Sequence, residues 1–123
     1  MQLFVLPEKM AICKLDAKEQ VPAWAEKAFS ITRSDEELSI VCEAKEVPET
    51  ITQSKHWVML KIAGPLDFNL VGILASIAVP LAKVDISIFV LSTFDTDYIL
   101  VKEEKREESI QALREAGFTM SLP

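Results

Sequence analysis

The side chains best suited to chemistry lie in a short acidic turn, Ser92-Thr93-Phe94-Asp95-Thr96-Asp97, with Asp85 a few residues before it. Neighbouring carboxylates can act as general acid and base, bind a hard cation, or hold an ammonium or guanidinium group. Aspartates in a turn also form hydrogen bonds with their own backbone, so a purely structural role is an alternative. Which of these roles is possible depends on the other residues that the chain provides.

The residues that catalysis would require do not accompany the turn. The chain has no phosphate-binding glycine loop, no His/Cys set at metal-binding spacing and no nucleophile–base pair. The sole histidine, His56, has no Ser, Cys or acid at a recognisable catalytic spacing. Cys13 and Cys42 lie in apolar alternating runs, a pattern typical of small buried thiols. We therefore expect no enzyme activity, no catalytic residue, no metal and no cofactor.

Composition and charge exclude further classes of protein. The net charge is −6, from 19 acidic and 13 basic residues, so the surface should repel nucleic acid. The longest apolar tract, 70–82, is shorter than the roughly 20 residues that span a bilayer. The first residues lack the positively charged and then apolar pattern of a signal peptide, so we expect none. Half of the residues are apolar, which is enough for a core. We expect a soluble, cytoplasmic protein without nucleic-acid or membrane partners.

The second half of the chain has the pattern βαββαβ, which predicts an α+β sandwich of antiparallel sheet and two helices. Gly64-Pro65 should end the first strand, Asp67 should cap a helix that begins at about Phe68, and Gly117 should end the second helix. The predicted strands are 57–63, 86–91, 98–101 and 118–122, and the second helix is 106–116.

The first half is less regular. Two short strands are expected on either side of a turn at Pro7-Glu8-Lys9, and one or two helical turns at 21–28. A hairpin follows, and the polar segment 43–54 is the natural linker between halves. The predicted strands of this half are 3–6, 10–15, 29–33 and 38–42.

Residues 57–118, and most closely LDFNLVGILASIAVPLAKVDISIFVLSTFDTDYILV, resemble an ACT domain, the βαββαβ module that senses amino acids in many metabolic enzymes. The run is similar to the branch found in small stand-alone bacterial ACT proteins and CASTOR-type arginine sensors. The resemblance implies a ferredoxin-like sandwich made of two tandem ACT-like halves, with antiparallel sheets and helices on one face. Residues 1–54 would be an irregular or incomplete half, and 55–123 the ACT domain. In the first half the resemblance rests on LPEKMAICKL and PAWA.

The chemistry of an amino acid predicts what its site should contain. Its carboxylate needs backbone N–H groups at a helix start, here those of residues 68–72, and its ammonium needs carboxylates. The resemblance implies a regulatory, non-catalytic protein that holds a free amino acid at an interface between ACT units, as a homodimer or higher homo-oligomer. The acidic turn favours a cationic amino acid such as arginine or lysine. The positions that the resemblance implies, together with this chemistry, give the candidate ligand-binding residues Phe68, Asn69, Val71, Gly72, Ser92, Thr93, Asp95 and Asp97.

Each of these roles has a structural alternative. The helix face with Gly72, Ser76 and Val79 is small and only weakly polar, so it can serve close packing or dimerisation without any ligand. Asp95 and Asp97 can be turn formers only. A structural interaction module is therefore the alternative function.

Overall fold

The computed structural model describes all 123 residues, which form two compact units. The larger unit contains Met1–Pro7 and Val58–Pro123, and the smaller unit contains Glu8–Trp57. The first seven residues thus belong with the second half of the chain, which a division at residue 54 would not give. The strands are β1 (Gln2–Leu15), β2 (Ser30–Arg33), β3 (Leu38–Glu43), β4 (Thr52–Ile62), β5 (Ile88–Ser92), β6 (Asp97–Lys102) and β7 (Thr119–Ser121), and the helices are α1 (Ile73–Lys83) and α2 (Arg106–Glu115).

The larger unit confirms the predicted α+β, ferredoxin-like arrangement, with one addition. Its strands follow the order β7-β1-β4-β6-β5, so the beginning of β1 lies between β7 and β4. Residues 2–4 of β1 pair with β7 in parallel, and the Ala63 N–H donates to the Gln2 carbonyl at 3.0 Å. β5 and β6 form the predicted antiparallel hairpin. A strand from the first half is therefore part of this sheet.

Both helices of the larger unit bury apolar side chains in one core. Ile77 and Leu81 of α1 and Leu113 of α2 are fully buried, in a cluster that includes alternate residues of the strands. Burying a side chain of this size contributes about 1.5–3 kcal/mol, so the core provides the main stabilisation of the unit. Gly117, at φ +100°, follows α2 as expected for a helix-ending residue. Neither helix is long and apolar enough to span a membrane.

The smaller unit is built on an antiparallel sheet in which β3 pairs with β2 and with residues 10–15 of β1. Cys13 lies opposite Ile40 and Cys42 lies opposite Ala11, so the two thiols are diagonal neighbours on one face. Both thiols are free and buried, which confirms the sequence-based interpretation. They pack with apolar neighbours in the core of this unit.

Two predictions for the first half need correction. The predicted turn at Pro7-Glu8-Lys9 is wrong, because β1 continues through these residues as one strand. Residues 2–4 pair with β7 and residues 10–15 pair with β3, so Pro7, which lacks an N–H, lies outside both registers. The predicted linker 43–54 contains a short 3-10 turn, Ala44–Glu46, and its last residues already belong to β4.

The buried thiols predict a pH dependence of stability. Burial, with a smaller contribution from the adjacent Cys42 thiol, raises the pKa of Cys13 to about 12. Burial also raises the pKa of Cys42. Unfolded cysteines titrate near pH 8.5. A group whose pKa is raised on folding contributes stability that is complete below its unfolded pKa and is lost as the pH rises toward its folded pKa.

The difference in unfolding free energy between the wild type and Cys13→Ala should therefore decrease by about 2 kcal/mol between about pH 7 and pH 10. Urea unfolding under reducing conditions measures it, and the comparison at each pH cancels the titration of lysines and tyrosine. A difference that stays constant over this range would contradict the expectation.

Candidate functional site

The loop that leaves β4 approaches the turn between β5 and β6 closely. The Leu66 N–H donates to the Asp95 carbonyl at 2.6 Å. A Cβ atom at Gly64 would lie 3.2 Å from both the Asp95 carbonyl oxygen and the Thr96 Cβ. Glycine at this position therefore permits the contact, since a larger residue would push the turn away.

The turn itself is held by two threonines. The Thr93 N–H donates to the Thr96 carbonyl at 2.8 Å, and the Thr93 hydroxyl donates to the same oxygen at 3.1 Å. The Thr96 side chain is buried, and its hydroxyl donates to the carbonyl of Ile62 at the end of β4, at 2.9 Å. The turn is thus anchored to the sheet and to the neighbouring loop.

The start of the first helix differs from the prediction. Asp67 does not cap a helix at Phe68; its carboxylate accepts a hydrogen bond from the Asn69 N–H at 2.8 Å and forms a local turn. Gly72 has φ +78°, a left-handed conformation that α-helices do not contain, so α1 begins after it at Ile73. The N–H groups available at the helix start are therefore those of the first turn from Ile73, which no side chain caps.

A cavity of about 160 Å³ lies between the loop and the turn. Its walls combine apolar, polar and acidic residues of both segments. The lining residues are Leu66, Asp67, Phe68, Leu70, Ile73, Thr93, Phe94, Asp95, Thr96 and Asp97.

Two aromatic rings, one from each segment, meet at this cavity. Phe68 and Phe94 are in edge-to-face contact, with ring centroids 4.9 Å apart and an interplanar angle of 83°. Their exposed fractions are 73% and 78%, which is high for phenylalanine. Such exposed rings beside a cavity are typical of a binding surface.

The lining of the cavity is strongly acidic. It contains Asp67, Asp95 and Asp97 and no lysine, arginine or histidine. Carboxylates without a basic neighbour attract ammonium and guanidinium groups and repel anions. No group of three or more His, Cys, Asp or Glu side chains in the structure has an arrangement that could hold a metal ion.

The structure brings together half of the residues that the sequence singled out. Phe68, Thr93, Asp95 and Asp97 line the cavity. The other four, Asn69, Val71, Gly72 and Ser92, do not line it; they are exposed and lie in the same loop or at the end of β5.

Sequence reasoning missed Phe94 and Thr96 as part of the site. Phe94 lies between predicted candidates, but one aromatic residue in a turn has no periodic signal that marks it. Thr96 is recognisable only from its buried hydrogen bond.

The amino-acid sequence matches a family model described as ACT domain over residues 53–115. Residues 8–50 match a second model, which describes an N-terminal domain.

Among curated proteins, the chain is similar to the cytosolic arginine sensor for mTORC1, subunit 1. The human sensor is 37% identical over 94 residues, covering 70% of this chain and 29% of the sensor. The rat sensor is 39% identical over 85 residues, and the match covers 63% of this chain and 26% of the sensor. The chain therefore spans less than a third of these relatives.

Solved structures extend the similarity to the whole chain. A crystal structure of a protein from Agrobacterium tumefaciens has a TM-score of 0.93 and 39% identity, and the match covers 99% of this chain and 92% of that chain. The regulatory subunit of aspartate kinase from Thermus flavus has a TM-score of 0.65 at 13% identity, and the match covers 93% of this chain and 95% of that chain. The second likeness is one of fold alone.

The anchored turn gives a prediction for stability. Thr96→Val keeps the shape of the side chain but leaves the buried Ile62 carbonyl without its donor, which should cost about 1–3 kcal/mol of unfolding free energy. Urea unfolding measures the loss. The control is Thr119→Val on β7, where the side chain is exposed and the change should stay within about 0.5 kcal/mol. Equal effects of the two substitutions would contradict a structural role for the Thr96 hydroxyl.

Proposed function

Because the chain belongs to the ACT domain family, we propose that it is a non-catalytic regulatory protein that binds a free amino acid. The observation that carries the proposal is the acidic cavity between the loop before α1 and the turn between β5 and β6. An amino acid offers charges of both signs a fixed short distance apart, and this cavity has different groups on its two sides. The named function of the arginine-sensor relatives supports the same class of ligand.

The two sides of the cavity suit the two ends of the ligand. The carboxylates of Asp95 and Asp97 suit an ammonium group or a cationic side chain. The carboxylate of the ligand suits the N–H groups at the start of α1, where Ile73 lines the cavity. The absence of basic residues from the lining favours a cationic amino acid such as arginine or lysine over an acidic one.

One chain provides only part of an enclosing site. A volume of about 160 Å³ is below the roughly 300–1,000 Å³ typical of pockets that enclose a small molecule. Exposed Phe68 and Phe94 line the cavity, exposed Val71 lies in the same loop, and together they leave apolar surface uncovered. The ligand is therefore held at an interface with a second ACT unit, in a homodimer or higher homo-oligomer. The named cytosolic relatives support a cytoplasmic location.

A second candidate function is a structural interaction module without a ligand. The observation that favours it is the exposed surface of α1, where Leu74, Ala75, Ser76 and Val79 are uncharged. By contrast, α2 exposes charged residues such as Glu108. An uncharged helix surface suits contact with another protein chain.

Thermal unfolding with each of the twenty amino acids distinguishes the two functions. A ligand at a free concentration of about 100 times its dissociation constant stabilises the folded protein by about 2.7 kcal/mol. This corresponds to a Tm increase of about 10 °C for a chain of this size. We expect a selective increase, largest for arginine or lysine and absent for aspartate and glutamate. A panel without any shift would support the interaction module and contradict ligand binding.

Asp97→Asn should weaken binding of the amino acid that gives the largest shift by about 10- to 100-fold, because it removes a charge-assisted hydrogen bond but keeps the shape of the side chain. Isothermal titration calorimetry measures this change. Asp35→Asn, an exposed aspartate in the β2–β3 turn, is the matched control and should bind as the wild type does. Unchanged affinity of Asp97→Asn would show that this carboxylate does not contact the ligand.

A further inference from the structure

The two cysteines lie far apart in the chain, but the sheet of the smaller unit brings their side chains together. Cys13 lies opposite Ile40 and Cys42 lies opposite Ala11, so the cysteines are diagonal neighbours on one face. Both thiols are free, and the Cys13 S–H donates to the Cys42 sulfur. Two adjacent sulfur atoms of this kind are a ligand set that soft metal ions prefer.

The diagonal placement suits a metal ion between the sulfur atoms better than a disulfide. A disulfide needs Cβ atoms about 3.5–4.5 Å apart. Diagonal neighbours in an antiparallel pair are about 7–8 Å apart, with a somewhat shorter Cβ–Cβ distance. A metal ion held linearly by two thiolates separates the sulfur atoms by about 4.6 Å, which is twice a metal–thiolate bond of about 2.3 Å. The longer sulfur–sulfur span fits this pair of positions.

A cavity in the smaller unit provides access to the buried pair. Its volume is about 210 Å³, and Cys42, which is only 3% exposed, is one of its lining residues. The others come from the 3-10 turn Ala23–Ala25 and the residues after it, and from the end of β3 and the turn that follows. They are Ala23, Trp24, Glu26, Lys27, Glu43 and Glu46.

The lining of this cavity favours a cation. Three of its residues are glutamates and one is a lysine. The charges of Glu46 and Glu43 act on the Cys42 thiol, so the negative potential extends to the sulfur. Trp24 packs against the apolar cluster that contains both cysteines, and an aromatic ring is a further surface that attracts cations.

We propose that Cys13 and Cys42 bind one soft monovalent metal ion, of the class of Cu(I) and Ag(I), between their sulfur atoms. The ion replaces the two thiol protons, which leave to solvent, and no electron is transferred. A zinc ion does not suit the site, because structural zinc needs four protein ligands. No group of three or more His, Cys, Asp or Glu side chains could hold a metal ion in this structure.

Lys27 provides the charge balance. Two thiolates and one monovalent ion carry a net charge of −1, and a buried charge is costly unless an opposite charge compensates it. Lys27 lines the cavity, and its ammonium group forms no ion pair within the chain. It is therefore available to compensate the complex.

The proposed metal site and the proposed amino-acid site are independent. The cysteines and the lining residues of the second cavity belong to the smaller unit, whereas the acidic cavity belongs to the larger one. A failure of the amino-acid panel and a failure of the metal experiments are therefore separate results.

Titration of the reduced chain with silver nitrate, in chloride-free buffer and followed by native mass spectrometry, should show one Ag(I) per chain. Competition with a Cu(I) chelator under anaerobic conditions then gives the dissociation constant for Cu(I). Cys13→Ala and Cys42→Ala should each raise it by at least about 100-fold, since loss of an outer-shell partner alone costs about 10–100-fold. A wild type that binds no ion, or a Cys13→Ala variant that binds as tightly, would overturn the proposal.

Lys27→Gln tests the charge balance and should raise the dissociation constant for Cu(I) by about 10-fold, within the range for outer-shell partners. Lys18→Gln is the matched control, because Lys18 is an exposed lysine of the same unit that does not line this cavity. Equal effects of the two substitutions would contradict the role of Lys27.

Nuclear magnetic resonance of the unmodified, ¹⁵N-labelled chain gives a test that does not depend on how the cysteine variants fold. The chain has two indole N–H signals, from Trp24 and Trp57. One equivalent of Ag(I) should shift the Trp24 signal, which Trp24→Phe identifies by its loss. The Trp57 signal should stay, since that N–H donates to the Ser54 hydroxyl at 3.0 Å. A shift of the Trp57 signal alone, or the same Trp24 shift with Zn(II), would overturn the assignment.

Discussion

The cavity depends on one junction, where the turn between β5 and β6 is bonded to the end of β4 and to the loop that follows it. The buried Thr96 hydroxyl donates to the Ile62 carbonyl, and the Leu66 N–H donates to the Asp95 carbonyl. The first of these bonds satisfies a buried hydroxyl that would otherwise lack a partner. Gly64 makes the approach possible because it has no side chain. The two walls of the cavity are thus held in place before any ligand arrives, which lowers the cost of ordering them on binding.

The same junction concentrates negative charge. Asp67, Asp95 and Asp97 line one small cavity, and no basic side chain of the lining offsets them. Asp67 is partly compensated, because the Asn69 N–H donates to its carboxylate. A cationic ligand reduces the remaining repulsion, whereas an anionic one increases it. Under the proposed function, this asymmetry would also orient a zwitterion, with its ammonium toward the acidic turn and its carboxylate toward the positive end of α1.

Much of the larger unit could be predicted because local patterns specify its elements. A short apolar run, YILV, marks β6, and helical spacing ended by Gly117 marks α2. The start of α1 could not be predicted, since Asp67 is equally suited to a helix cap and to a tight turn, and the left-handed Gly72 decides between them. The insertion of β1 between β7 and β4 has no local signal either, because pairing between distant strands depends on which buried faces fit together. The acidic turn is recognisable because its polar residues lie close together in the chain, whereas the contact between Phe68 and Phe94 joins residues far apart in it.

One hairpin carries both a wall of the cavity and an edge of the sheet. Its turn lines the cavity, and its outer strand, β5, is the last strand of the sheet. Ser92, at the end of that strand, directly precedes Thr93, whose hydrogen bonds with Thr96 shape the turn. Under the proposed function, a ligand that orders the turn would also order the end of β5, and any contact that restricted β5 beforehand would lower the conformational entropy that ligand binding costs. Such coupling would be reciprocal, because a contact that raises ligand affinity by some factor is itself strengthened by the ligand by the same factor.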